Sequence, residues 1–146
     1  MQMDELNLPN FSNITMARSA IERVCQAARK YPRVFREEKA VEVCEEAGIE
    51  IDFCSFENIP GVLIQNGEWA RMAVPDNLSE TQTVKVILHE LGHYELHVTN
   101  RFSHIFHGHT HKVTGEEKEA DLFAFCLAAD HIREAVRWNF IDYGNQ

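Results

Sequence analysis

What the sequence lacks narrows the choice of function first. No run approaches the ~20 consecutive apolar residues of a membrane-spanning helix. Met1 to Asn10 lack the basic-then-apolar form of a signal peptide. The four cysteines, Cys25, Cys44, Cys54 and Cys126, form no Cys-x-x-Cys pair, and a chain of this size needs no disulfide staples. There is no internal repeat, low-complexity tract or Pro/Gly/Ser-rich linker. Neither a Gly-x-Ser-x-Gly elbow nor a phosphate-binding loop occurs. Positive charge is scarce: 14 Lys plus Arg stand against 23 Asp plus Glu, a net charge of −9. That balance argues against sequence-independent nucleic-acid binding, which needs a cationic face. With 146 residues, 45% of them hydrophobic, the chain can enclose one core. These features predict a single soluble, cytoplasmic domain over residues 1–146 with reduced thiols, no direct nucleic-acid partner and no membrane attachment.

The patterning that is present reads as α+β. Ile14 to Tyr31 carries Ala17, Ala20, Ile21, Val24, Ala27 and Ala28 at three- and four-residue steps, an amphipathic helix closed by Pro32. A second helix is expected from about Glu37 to Ala47, with Gly48 just past its end. Ile49, Ile51 and Phe53 then alternate with Glu50 and Asp52, as in a half-buried strand. Gly61 to Gln65 and Trp69 to Val74 read as two more strands around the hairpin signal Asn66-Gly67. Ser79-x-x-Gln82 opens a helix reaching about Val98, and Thr114-x-x-Glu117 opens another. Thr99 to Val113 shows no period and reads as a loop, and a last short helix covers about His131 to Asn139. The expected architecture is a small three-stranded sheet packed with helices.

The sharpest motif is His89-Glu90-Leu91-Gly92-His93. Residues four apart share a helix face, so both imidazoles can address one metal ion, while Glu90 sits one step round, within reach of a water there. The bland alternative is a polar helix face bearing two surface histidines. A catalytic zinc takes three protein ligands, so one more is required. The metzincin pattern would need a histidine at position 99, which is Thr99. His97 lies on the same straight helix, which diverges from an ion held by its first two turns. Two sources remain: the loop with His104, His107, His109 and His111, and the acidic start of the next helix.

In that helix Glu117 and Asp121 are four apart, with Ala120 and Ala124 on the same side. Small residues permit close approach to the His89/His93 helix. Glu117 could then ligate, while Asp121 accepts the outer N–H of a ligand histidine. Acidic residues are also common in a first helical turn for dipole and capping reasons. The need for a third ligand favours Glu117, with Glu116 as the fallback.

The combination of His89-Glu90-Leu91-Gly92-His93 with Glu117-x-x-Ala120-Asp121 and Phe123-Ala124 resembles the ImmA/IrrE group of zinc metallopeptidases and, more broadly, the gluzincins. The resemblance runs over about residues 37–129 and includes Val74-Pro75-Asp76-Asn77-Leu78 before the motif helix. It implies a zincin-like fold with the motif on a central helix. It also implies a zinc-dependent protease that cleaves a helix-turn-helix repressor of a phage or mobile element. In that reading His89, His93 and Glu117 hold Zn²⁺, Asp121 supports a ligand histidine and Glu90 is the general base. Phe106-His107-Gly108 separately resembles the third-ligand region of SprT-type proteases. A regulator that binds metal and protein without turnover is the further alternative, and the retention of Glu90 speaks against it. The strand Trp69 to Val74 is expected at the sheet edge, open to an extended peptide. Tyr94 and the loop histidines are the candidates for stabilising an oxyanion.

Overall fold

The computed structural model describes residues 14–55, 62–66, 69–97, 104–107 and 115–144. Two helices, α1 (Arg18–Ala28) and α2 (Glu37–Glu46), precede the strands β1 (Ile49–Cys54), β2 (Val62–Asn66) and β3 (Trp69–Pro75). Helix α3 (Glu80–Leu96), strand β4 (His104–His107) and helices α4 (Gly115–Leu127) and α5 (Asp130–Ala135) follow. The fold is α+β, and α3 is its axis: it touches the sheet through β2 and β3 and packs on α1, α2, α4 and α5. Its apolar stripe of Val84, Ile87, Leu88 and Leu91 is fully buried, as the helical period requires. No described helix is long and apolar enough to cross a membrane.

Local signals held where they were local. Ser79 caps α3 by accepting a hydrogen bond from the Gln82 backbone N–H at 3.3 Å, which satisfies one of the donors a helix start leaves open. Gly48 follows α2 with φ of +89°, a conformation that costs glycine little and other residues more. The proposed Thr114 cap and Gly67 of the hairpin lie outside the described residues, but β2 and β3 do pair antiparallel, Asn66 opposite Trp69.

The sheet departs from expectation in three ways. Among the described residues it has four strands in the order β1-β3-β2-β4, the fourth coming from the segment read as a loop. A four-residue strand with a polar residue at each end leaves no period to detect. Second, β3 is not an edge: β1 pairs it in parallel, Ile49 opposite Ala70, and β2 lies on its other side. Third, Phe53 is 43% exposed although it falls on the expected inward alternation, because β1 is an edge strand and its far end outruns the core. The last helix is also short. At Val136 the backbone is extended, and Trp138 and Phe140 are buried instead as anchors of an irregular segment.

The α3–α4 contact decides the geometry of the site. A Cβ built on Gly92 would lie 3.1 Å from the Cα and carbonyl oxygen of Ala120 and from the Phe123 Cβ. Close approach therefore depends on a glycine of α3 as much as on the alanines of α4.

Candidate metal centre

His89 and His93 project from successive turns of α3 toward α4, and Glu117 projects back from the first turn of α4. One ligand atom from each of these three residues lies within 4.8 Å of the others. His89 Nε2 is 3.1 Å from Glu117 Oε1, and His93 Nε2 is 2.8 Å from Glu117 Oε2. Two imidazole nitrogens and a carboxylate form a donor set suited to a divalent transition ion such as zinc. The other sequence candidates are elsewhere. Glu116 is exposed and takes no part in the cluster. His104 and His107 belong to β4, and His109 and His111 lie outside the described residues. Tyr94 packs against the hydrophobic core.

Each histidine of the cluster is held from behind. His89 Nδ1 lies 2.8 Å from Asp121 Oδ1. The other oxygen of Asp121 accepts the backbone N–H of Asn139 at 2.6 Å, and Lys85 Nζ stands 3.7 Å away. His93 Nδ1 lies 2.9 Å from His97 Nδ1, whose Nε2 is 2.8 Å from Glu119 Oε1. Glu119 went unnoticed in the sequence. Its signal was present, two residues after Glu117, but nothing local says that α4 turns that residue toward the C-terminal end of α3.

The electrostatics follow from burial and pairing. Burial opposes a charge on His89, yet the Asp121 and Glu117 carboxylates outweigh it and lift its pKa to about 10. Burial also works against the Glu117 carboxylate, but the hydrogen bonds from His89 and His93 bring it down to about 2. Glu90 differs. It is fully buried, and both carboxylate oxygens lack a hydrogen-bond partner among the described residues. Burial raises its pKa to about 8, against the pull of His89. A buried carboxylate left without partners is costly and marks a functional position. Glu90 and His89 line a cavity of about 500 Å³ that runs to Lys85, Val86, Val136 and Asn139.

Residues 44–138, more than half of the chain, match the family model Peptidase_M78, described as the IrrE N-terminal-like domain. The chain belongs to the Peptidase_M78 family. The match takes in both arms of the cluster, α3 and α4, along with the sheet. No curated protein matches the chain. Membership of Peptidase_M78, together with a His–His–Glu cluster able to hold a metal, supports a metallopeptidase-type function.

Proposed function

We propose that this Peptidase_M78 protein is a zinc-dependent endopeptidase whose substrate is a helix-turn-helix repressor of a phage or mobile element, met in the cytoplasm. The observation that carries the catalytic part is Glu90, a buried carboxylate without hydrogen-bond partners among the described residues, lining a cavity beside three convergent donors. A purely structural metal site has no use for such a group.

His89, His93 and Glu117 would hold the ion. When bound, zinc supplies a Lewis acid that polarises the scissile carbonyl and makes water acidic near neutral pH. Glu90 takes the proton of the attacking water and returns it to the leaving amine. Asp121 keeps the His89 ring in place by accepting from Nδ1. The cavity, with Leu78, Val86 and Val136 among its walls, gives room for a side chain beside the scissile bond. Strand addition at β3 is ruled out by its two partners. The repressor as substrate rests on the likeness to ImmA/IrrE peptidases.

The test is incubation of purified protein with the repressor encoded beside its gene, with and without a chelator, alongside Glu90→Gln. Cleavage should require metal and Glu90, and Glu90→Gln should still bind zinc. Equal cleavage by the variant would remove Glu90 from the role of base. Binding of the repressor without cleavage by either protein would establish a non-catalytic regulator.

A further inference from the structure

We propose that Arg23, Glu119 and His97 are positioning residues that orient His93 for metal through one directed chain of hydrogen bonds beginning on α1. The inference rests on His89, His93 and Glu117 being the ligands, and it reaches outside the matched family region, because α1 (Arg18–Ala28) precedes residue 44.

Hydrogen can sit on only some atoms of this chain. Arg23 Nη2 contacts Glu119 Oε2 at 2.6 Å, so this carboxylate is held ionised and can only accept. Its other oxygen is 2.8 Å from His97 Nε2, which must therefore be the protonated nitrogen. In a neutral imidazole the second nitrogen is then an acceptor. His97 Nδ1 faces His93 Nδ1 at 2.9 Å, and two acceptors cannot share that distance, so His93 carries its hydrogen on Nδ1. With a cation bound, the His93 Nε2, 2.8 Å from Glu117 Oε2, would offer it the lone pair that hydrogen on Nδ1 leaves on the inner nitrogen.

The opposite ring obeys the same logic by a shorter route. Asp121 accepts from His89 Nδ1 at 2.8 Å, and His89 Nε2 is left facing Glu117 Oε1 at 3.1 Å. Both rings thus present Nε2 inward. The difference is the source of the instruction: a carboxylate of α4 acting directly on His89, and a carboxylate of α4 acting through His97 on His93. His97 is itself almost wholly enclosed, its side chain 5% exposed, so water does not substitute for Glu119 as the acceptor.

The experiment measures Zn²⁺ affinity of the full chain by competition with a chromophoric chelator, with thermal melting to verify folding. Glu119→Met removes the acceptor at similar volume and should weaken zinc binding by about 10–100-fold, the usual effect of losing such an outer partner. Glu119→Gln, which keeps an acceptor oxygen, should restore most of the loss, and His97→Gln should outperform His97→Phe for the same reason. In zinc-loaded wild-type protein, ¹⁵N spectra of the imidazoles should place hydrogen on His97 Nε2 and on His93 Nδ1. A folded Glu119→Met protein with wild-type affinity, or hydrogen found on His97 Nδ1, overturns the proposal. The spectra decide it even where a variant does not fold. Wild-type protein that takes up no zinc defeats the ligand assignment itself, a separate outcome.

Discussion

The helix pair α3/α4 and the sheet beside it are built on opposite principles. In the helix pair, charged and polar groups are buried and answered across the contact: His89 by Asp121 and Glu117, His93 by His97 and Glu117. On the outer face of the sheet, Arg71 reaches Glu50 at 2.8 Å and Asp52 at 3.0 Å with solvent at hand, its own side chain 43% exposed. Similar charges therefore serve different ends. Buried pairs cost desolvation and persist where chemistry or a bound ion requires them, whereas exposed pairs are screened and contribute little.

The sharpest way to break this contrast is to remove the acid at its centre. Glu117→Ala should lower zinc affinity by orders of magnitude, while Glu116→Ala, one residue away but exposed, should leave it unchanged. His107→Ala, on β4, should also bind normally, and competition titrations of the three variants check this. If Glu117 is merely a helix-start residue, its loss should cost only about 0.5–2 kcal/mol of stability and no affinity.

A second test concerns Glu90, a buried acid without a hydrogen-bond partner among the described residues. Glu90 has a folded pKa of about 8 against an ordinary value of 4.5. The folded chain thus keeps a proton that the unfolded chain releases. Below pH 4.5 the group is neutral in both states. As pH rises through the window to about 8, the unfolded state gains the advantage and this contribution to stability is lost. Metal-free wild-type protein should therefore become less resistant to urea relative to Glu90→Gln across that interval. Parallel pH profiles would contradict the buried, unpartnered state of Glu90.

Packing between the two helices gives a smaller effect. Gly92→Ala should gain up to about 1 kcal/mol in helix propensity. The new Cβ would, however, meet Ala120 backbone atoms at 3.1 Å, and backbone cannot rotate away. Crowding of this kind typically costs about 1–3 kcal/mol, so we expect a net loss in melting temperature and weaker zinc binding as α4 is pushed off. A rise in both would show that the helices have slack. The smallest effect belongs to the sheet: Arg71→Ala should change stability by no more than about 1 kcal/mol, less in high salt, and leave zinc affinity untouched.

The legibility of the molecule divides along the same line. The histidines four apart, Glu117 and Asp121 four apart, the Ser79 cap and the Gly48 terminus are each complete within a few residues of sequence. Helix geometry converts such spacing into a common face without reference to the rest of the chain. The sheet was read less well. Its strands were visible as alternation, but alternation says which side chains share a face, not which strand is the neighbour. β3 therefore passed for an edge strand, and the brief β4 for loop.

The amino-acid sequence by itself determined the inward-facing chemistry of α3, the acidic face of α4 and the family to which they belong. Tertiary structure alone decided that Glu117 lies within ligand distance of both histidines, that Gly92 lets α4 approach, and that Arg23 of α1 reaches Glu119. It also left Glu90 facing a cavity without a partner. The reason is range. A helical period is a local consequence of backbone hydrogen bonds, whereas a contact such as Cys25 with Cys126, or Arg23 with Glu119, joins residues about a hundred positions apart. Such contacts exist only once the intervening chain has packed into one core.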